Sequence, residues 1–196
     1  STLLDARLRI NAAAFYSEIE NFQAQRQLET GLGTYVSNEA KVETSGVDFQ
    51  VEAAPMPNLV LSAGLLYMHK YEITDGPEKG ADLPFTAEFS GTLAATLVFP
   101  LGDGGVYWRT DYSYMDDHST NVASAAQLRD ADYDNRNLVN SKLGWRNNSW
   151  NVSVWGKNLT DDKYAMQTAL PFLVSGMEAY FLAPPRTLGA TVRYTF

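Results

Sequence analysis

Residues 187–196 read Thr-Leu-Gly-Ala-Thr-Val-Arg-Tyr-Thr-Phe, and this stretch decides the fold class. Every second position holds an apolar residue, whereas the positions between them hold threonine, glycine or arginine. In a β-strand, successive side chains point to opposite faces of the sheet. The alternation therefore predicts a strand with one polar face and one apolar face, the latter formed by Leu188, Ala190, Val192, Tyr194 and Phe196.

The same period of two recurs along the chain. No segment carries an apolar stripe with the 3.6-residue period of a helix. The sequence thus predicts an all-β fold. Its eight predicted strands lie at approximately 6–18, 43–54, 58–72, 84–100, 105–117, 135–147, 149–160 and 186–196.

Long and short connections alternate between these strands. The short ones are rich in proline, glycine, asparagine or aspartate, which favour tight turns. In an antiparallel up-and-down meander, this order puts every long loop at one end and every tight turn at the other, as in outer-membrane barrels. The sequence therefore predicts a transmembrane β-barrel with both ends of the chain on the short-turn side. The long connections cover about 19–42, 73–83, 118–134 and 161–185.

Composition argues against several classes of protein. The 196 residues include 15 Lys and Arg against 23 Asp and Glu, and the net charge of −8 argues against a nucleic-acid partner. The longest nearly apolar run, Leu59–Met68, is much shorter than the roughly 18–20 residues of a membrane-spanning helix. The sequence has no cysteine, so it cannot form disulfides or thiolate metal sites.

Alternation alone does not identify the solvent, because soluble lipocalin-like barrels also have eight alternating strands. The apolar face, however, has aromatic residues near the strand ends and many alanines and glycines at mid-strand. Aromatic rims suit the two interfaces of a bilayer, whereas a soluble core needs large side chains at mid-strand. We therefore expect a membrane barrel. The aromatic residues in question are Tyr16, Tyr67, Tyr71, Phe85, Phe99, Tyr112, Tyr114, Trp145, Trp150, Tyr194 and Phe196.

Two segments late in the sequence have a distinctive order. Residues 154–164 read Val-Trp-Gly-Lys-Asn-Leu-Thr-Asp-Asp-Lys-Tyr, and residues 184–189 read Pro-Pro-Arg-Thr-Leu-Gly. Earlier, residues 11–23 and 44–51 form two further characteristic strand sequences. With these segments, the chain resembles the C-terminal part of the barrel of TonB-dependent outer-membrane receptors over essentially its whole length.

The resemblance implies active import of a scarce nutrient, such as a ferric siderophore, cobalamin or a glycan, across the bacterial outer membrane. The family's N-terminal plug and TonB box have no counterpart in the sequence. The resemblance therefore implies that residues 1–196 are the C-terminal part of a receptor barrel of roughly 22 strands, with the plug domain absent. The implied partners are outer-membrane lipid, the barrel-assembly machinery, TonB through the missing plug region, and a small-molecule or metal-chelate ligand.

Two other interpretations fit the same pattern. One is a small self-contained eight-stranded outer-membrane barrel with a structural or adhesive role, and the other is a soluble ligand-binding β-barrel. Pairing between the first strand, around Ala12, and the last, around Val192, distinguishes a closed barrel from part of a larger one, because closure removes both sheet edges.

Candidate site residues are few. Asp116, Asp117 and His118 combine two carboxylates with an imidazole at a strand end. They are candidate contacts to a ligand from a loop, and the alternative interpretation is that they are simply the polar start of that loop. The acidic run from Asp130 lacks the glycine and glutamate of an EF-hand and is interpreted as a solvated loop. His69 is expected at the membrane interface. No serine-hydrolase elbow, phosphate loop or zinc-protease motif occurs, so we predict no enzyme activity, no cofactor and no metal site.

The polar face supports a further expectation. In a complete receptor, its charged residues would contact the plug or line the path of the cargo. The acidic long loops mildly favour a neutral or cationic cargo, because they would repel an anion. The charged residues of the polar face include Arg9, Glu52, Glu88, Arg109, Lys142 and Arg193.

The last strand carries an expectation about assembly. In the family that the chain resembles, a terminal phenylalanine that follows apolar residues at every second position is read by the outer-membrane assembly machinery. The resemblance therefore implies that Tyr194 and Phe196 form the assembly signal.

Overall fold

The computed structural model describes residues 2–3, 7–27, 34–76, 79–119, 132–169 and 179–196. These residues include no helix that is long and apolar enough to cross a membrane. The strands are β1 (Thr2–Leu3), β2 (Leu8–Gln27), β3 (Thr34–Met56), β4 (Leu59–Asp75), β5 (Phe89–Leu101), β6 (Gly104–Met115), β7 (His118–Ser119), β8 (Asp132–Tyr133), β9 (Arg136–Arg146), β10 (Trp150–Lys157), β11 (Ala165–Ala169), β12 (Ala179–Leu182) and β13 (Thr187–Tyr194).

Nine strands form one antiparallel sheet in the order β1-β2-β3-β4-β5-β6-β9-β10-β13. Apart from the two-residue β1, these are the eight strands that the sequence predicts, each paired with its neighbour along the meander. The pairs β7–β8 and β11–β12 lie in the long connections that follow β6 and β10. The predicted all-β meander is therefore confirmed.

The register keeps the two faces of the sheet separate. Ala12 lies opposite Phe49, which lies opposite Leu65 on the next strand. One position along, Asn11 lies opposite Gln50. Because opposed residues of antiparallel strands share a face, the apolar and polar faces predicted from alternation are continuous across strands.

The first hairpin is longer than predicted. The pairing of β2 with β3 continues as far as Gln27 opposite Thr34, so most of the predicted loop 19–42 is strand. Polar residues outnumber apolar ones in this extension, and its few apolar residues do not alternate regularly, which removes the signal from which strands are predicted.

The strand predicted at 84–100 begins later than expected. β5 starts at Phe89, because Pro84 and Phe85 form a turn in which Phe85 has a φ of 59°. A positive φ is incompatible with an extended strand. Phe85 therefore lies in the turn before β5 and not in the strand to which it was assigned.

A β-bulge in β4 changes the face of the residues that follow it. Met68 pairs with Gly46 and Lys70 pairs with Ser45, so His69 is an extra residue without a partner in the register. One extra residue moves the subsequent side chains to the opposite face. As a result, the prediction that Tyr71 lies on the apolar face is wrong: Tyr71 pairs with Thr44 on the polar face.

The sheet is open. Within the described ranges, β13 pairs only with β10, and the free side of β2 pairs only with β1, over Leu8 and Arg9. Ala12 and Val192 are therefore not paired with each other; they pair with Phe49 and Val152. This arrangement does not favour either closed eight-stranded barrel.

A small apolar cluster stabilises the strands beyond the bulge. Val42 and Ile73 are fully buried, and Phe22, Ala81 and Leu83 pack against them. The 79–83 segment continues alongside β4 through hydrogen bonds from Ile73 to Ala81 and from Leu83 to Tyr71. The extension of β2, β3 and β4 thus has a core of its own.

Candidate functional site

The apolar face has aromatic side chains towards both ends of its strands. Near the tight turns, Trp150 lies 4.7 Å from Tyr194, which lies 5.0 Å from Phe196, measured between ring centroids. Towards the opposite end, Phe89 and Tyr114 lie 5.9 Å apart. Such aromatic rims on either side of an aliphatic band are typical of a hydrocarbon-facing surface.

Polar groups within this band hydrogen-bond to one another. The hydroxyls of Thr110 and Ser141 lie 2.8 Å apart, and Trp108 Nε1 donates to Ser141 Oγ at 2.9 Å. Because hydrocarbon offers no hydrogen-bond partner, this local pairing makes the three residues compatible with a lipid-facing position.

A ladder of charges ends the apolar band on the side of the long connections. Lys41 Nζ lies 2.7 Å from Glu18, and Lys70 Nζ lies 2.7 Å from Glu43 and 3.2 Å from Glu72. These five residues, the charge ladder, lie immediately beyond the aromatic rim. The ladder therefore marks the outer limit of the lipid-facing surface.

Hydrogen bonds and charges within the charge ladder lower the pKa of its glutamate Glu43 and raise the pKa values of its lysines, Lys41 and Lys70. The hydrogen bond from Lys70 is the main cause that lowers the pKa of Glu43 below its ordinary 4.5. The same bond is the main cause that raises the pKa of Lys70 above its ordinary 10.5. Both residues are therefore charged over the whole neutral range.

The polar face has small residues in its middle. Ser62, Gly64 and Thr92 line a shallow cavity of about 360 Å³, bordered by Arg9 and Glu52. Short side chains leave this part of the wall open to solvent or to another molecule.

Charge on the polar face is distributed unevenly. Across β6, β9, β10 and β13 it carries six basic residues and one acidic residue, Asp111. Arg109 Nε lies 3.6 Å from Asp111, which also accepts a hydrogen bond from Asn140 at 2.8 Å. Among the described residues, no carboxylate lies within 4.0 Å of Lys142, Arg146, Lys157 or Arg193. The sixth cation, Arg136, lies over the Tyr164 ring, 5.6 Å from its centroid.

Two aromatic rings of the polar face lie against glycines. Tyr107 covers Gly144 and Trp155 covers Gly189, so closely that a Cβ on either glycine would overlap the ring. Tyr107 donates a 2.9 Å hydrogen bond to Asn151 Oδ1, which helps to fix its ring. Both rings are thus held flat on the wall.

Cations lie over these two rings. Lys142 Nζ and Arg146 Cζ are 5.9 Å and 5.7 Å from the Tyr107 centroid, and Lys157 Nζ is 5.9 Å from Trp155. These distances are those of cation–π contacts. We call the set Tyr107, Lys142, Arg146, Trp155, Lys157 and Arg193 the basic–aromatic patch.

The distinctive segment around Asn158 has a structural role. Asn158 is buried, with a φ of 49°, and its Oδ1 accepts hydrogen bonds from Thr160 Oγ1 and the Asp162 amide. Its Nδ2 donates to the carbonyls of Asp162 and Pro184. Asp161 in turn accepts a 3.1 Å hydrogen bond from the Arg186 amide. The segment therefore ties the end of β10 to the start of β13.

The predicted loop contacts lie at the end of β6. Asp116 accepts a 2.6 Å hydrogen bond from Tyr114 Oη, and His118 Nδ1 lies 3.2 Å from the Asp116 carbonyl oxygen. Asp117 is exposed. In the part of the chain that the structure describes, no group of three or more acidic or histidine side chains could hold a metal ion. The contact of Asp116, Asp117 and His118 with a ligand stays a prediction.

Tyr71, which the bulge moves to the polar face, belongs to the same acidic end of the sheet. Burial raises the pKa of its hydroxyl, and the carboxylates of Asp82, Glu88, Asp117 and Asp116 raise it further. Tyr71 therefore presents a neutral hydroxyl at the end of the polar face that is nearest the long connections. Two further acidic residues of the long connections, Glu78 and Asp130, lie outside the described residues.

A sequence model of the family described as TonB dependent receptor-like, beta-barrel, matches residues 2–159. The chain belongs to this family. The resemblance inferred from the motifs is therefore confirmed. The family resides in the bacterial outer membrane, where the apolar face of a barrel contacts lipid and the polar face lines the interior.

Solved structures of receptors share the fold. The ferric yersiniabactin uptake receptor FyuA from Yersinia pestis is 19% identical, with a TM-score of 0.81 over 97% of this chain and 28% of its own. The ferric-catecholate import receptor Fiu from E. coli is 22% identical, with a TM-score of 0.74 over 100% and 26%. The copper transporter OprC is 15% identical, with a TM-score of 0.69 over 97% and 28%.

The chain spans about a quarter of the length of these receptors. Members of the TonB-dependent receptor family are transporters rather than enzymes. In this setting, the polar face is the candidate functional surface. The sequence identified most of the charged residues of this face, but Trp155 was missed. Because Trp155 alternates in step with Asn151 and Ser153, it could have been assigned to the polar face from the sequence.

Proposed function

We propose that the chain is the C-terminal part of the barrel wall of a TonB-dependent receptor that imports a scarce nutrient, such as a ferric siderophore. The observation that carries the proposal is the open sheet with one lipid-facing and one charged face. Such a sheet leaves two edges with unpaired backbone groups, and in a bilayer only further strands can satisfy them.

The partners are those that membership of the family implies. Further strands, paired with the free edges of β2 and β13, would close the wall. A plug would fill the lumen and contact TonB. The ligand would be a small molecule or metal chelate. FyuA, Fiu and OprC are described as handling ferric yersiniabactin, ferric catecholate and copper, which supports a metal-related cargo.

Uptake by the full-length receptor tests this proposal. We expect cells that lack the gene to lose accumulation of one radiolabelled nutrient from a panel of ferric chelates, copper, cobalamin and glycans. The full-length gene should restore it, but not in cells that lack TonB. Restoration without TonB, or an unchanged panel, would contradict the proposed function.

The assembly role of Tyr194 and Phe196 is part of the proposal. Both rings belong to the aromatic cluster near the tight turns, and Phe196 is fully exposed, hence accessible to an assembly factor. We expect Phe196→Ala in the full-length receptor to lower the amount of heat-modifiable, membrane-inserted barrel several-fold. Phe99→Ala, at another exposed aromatic of the same face, is the control and should insert normally. Equal insertion of the two variants would reduce Phe196 to an interfacial residue.

A further inference from the structure

We propose that a hollow in the lipid-facing side of the sheet binds an acyl chain of an outer-leaflet lipid and holds it in place. The hollow has a volume of about 490 Å³, and Ala53, Ala63 and Ala95 form its floor. It lies on the face of the sheet opposite to the lumen, so the proposal goes beyond the proposed function and does not depend on the cargo.

The hollow results from the arrangement of small and large side chains on neighbouring strands. Ala63 lies opposite Val51 and Leu93, and Ala95 lies opposite Leu61. Because opposed residues of antiparallel strands share a face, each alanine has larger aliphatic side chains beside it. The walls stand clear of the sheet, since Leu93 is 56% and Leu61 39% exposed.

Further strands of a complete barrel would leave the hollow open. Its lining residues all belong to β3, β4, β5 and β6, which lie in the interior of the sheet order, away from both free edges. The outer side of a barrel in the bacterial outer membrane faces lipid. The hollow is therefore continuous with the lipid-facing surface.

The hollow extends along the aliphatic band and has a polar pair at one end. Ala53 lies three residues from Met56, the tight-turn end of β3, whereas Tyr112 lies eight residues from Gly104, the tight-turn end of β6. At this higher end, Tyr112 Oη donates a 2.7 Å hydrogen bond to Asn137 Oδ1. A polar end towards the long connections and an aliphatic remainder suit a chain that descends from the outer leaflet.

Water does not suit the hollow. The Thr110 hydroxyl at its border is paired with Ser141 Oγ at 2.8 Å, and the Ser62 side chain belongs to the polar face, where it lies opposite Glu52. Apolar cavities of roughly 150 Å³ stay dry and bind small hydrocarbons such as benzene. Unfilled, the hollow would leave its aliphatic walls without dispersion contacts, which a hydrocarbon chain supplies.

A protein partner suits the hollow less well than lipid does. Lipid tails are as apolar as leucine, so association of proteins within a bilayer depends on close packing and on hydrogen bonds between the partners. Both hydroxyls at the border, those of Thr110 and Tyr112, are already bonded within the sheet. The hollow thus offers a partner no hydrogen bond, whereas an acyl chain needs none.

Electron cryomicroscopy of the full-length receptor in lipid nanodiscs tests the proposal. One sample contains phosphatidylethanolamine with unsaturated chains, and the other contains the same lipid with bromine added across the double bonds. Bromine adds density wherever a chain is held in place. We expect a continuous tube of density over Ala63 and Ala95, with a bromine signal several-fold stronger than that beside Val154, an exposed aliphatic residue of the same face.

Filling the hollow should remove the ordered chain. We expect the double variant Ala63→Leu, Ala95→Leu to lack the density over the floor. Ala14→Leu, on the same face of β2 and opposite Val47, is the matched control and should keep it. The comparison of the two lipids uses the wild-type receptor, so it decides the proposal even where the filled variant does not insert.

Three results would overturn the proposal. One is a bromine signal over the floor no stronger than that beside Val154, because the hollow would then hold only averaged bilayer lipid. Another is density that belongs to a protein segment or a second copy of the receptor, and the third is ordered density that persists in the filled variant. These results leave TonB-dependent import untouched, so failure of this proposal is distinguishable from failure of the proposed function.

Discussion

At the scale of single residues, two glycines determine how the polar wall is built. Gly144 and Gly189 let Tyr107 and Trp155 lie flat, which keeps large rings out of the lumen and holds their faces towards Lys142 and Lys157. Glycine is required here for close approach by a side chain, because any larger residue would displace the ring.

We predict that Gly144→Ala destabilises the barrel. Its Cβ would overlap the Tyr107 ring and crowd Ser153, and overpacking of this kind costs about 1–3 kcal/mol. Urea unfolding of the purified full-length receptor measures the effect. Gly91→Ala is the matched control, because a Cβ at that strand glycine has room, its nearest neighbour lying at 3.5 Å. Equal losses in the two variants would contradict the proposed packing.

We also predict that Asn158→Ala lowers the free energy of unfolding by about 3 kcal/mol, through lost side-chain hydrogen bonds and a positive φ that alanine tolerates poorly. Urea unfolding gives the value. Asn158→Gly loses the same side-chain bonds but tolerates the φ, so it should lose less. A neutral Asn158→Ala would show that the turn does not depend on this side chain.

Most residues could be assigned to a face from the sequence, since alternation is a direct consequence of strand geometry. Val192 and Arg193 are on the faces that their parity predicts. Tyr71 and Phe85 could not be assigned, because one depends on the extra residue at His69 and the other on a positive φ at a turn. Neither a bulge nor a backbone twist leaves a reliable trace in hydrophobic periodicity.

At the scale of secondary-structure elements, β2, β3 and β4 differ from the rest of the sheet. They extend past the aromatic rim, carry the charge ladder on one face and bury Val42 and Ile73 on the other. The lipid-facing parts of these strands were predictable because a bilayer imposes an apolar face on them. Beyond the membrane that constraint ends, so the length of the extension was not predictable.

The charge ladder predicts a pH dependence. Glu43 has a lowered pKa, so its contribution is present above the ordinary glutamate pKa and is lost as the pH falls through the lowered value. Lys70 has a raised pKa, so its contribution is present below the ordinary lysine pKa and is lost as the pH rises through the raised value. The stabilisation by this ion pair should therefore be greatest between the ordinary pKa of glutamate, 4.5, and that of lysine, 10.5.

The difference in unfolding free energy between the wild-type receptor and Glu43→Gln, measured across pH, checks this expectation. The effect should be small, because exposed ion pairs contribute little. Lys79→Met, which changes an exposed lysine in the connection after β4, is the control. Its difference in unfolding free energy should not vary in this way with pH. A constant Glu43→Gln difference at all pH values would contradict the role of the ladder.

At the scale of the whole molecule, the central claim is that this sheet is a segment of a larger wall. The family could be inferred from the late motifs, and the structure gives them a physical role in joining β10 to β13. The open edges could not be inferred, because strand count and alternation are the same for a closed barrel of eight strands and for eight strands of a larger one.

Cysteine cross-linking across the two edges tests this claim most directly. Val152→Cys with Val192→Cys joins directly opposed residues of β10 and β13 and serves as the positive control in the membrane-inserted full-length protein. The test pairs combine Val192→Cys with cysteine at Ile10, Ala12 or Ala14, which covers different registers of closure. A disulfide requires Cα atoms roughly 4.4–6.8 Å apart. We predict efficient cross-linking of the control and none of the test pairs; a disulfide in any test pair would contradict the account, because β2 and β13 would then close an eight-stranded barrel.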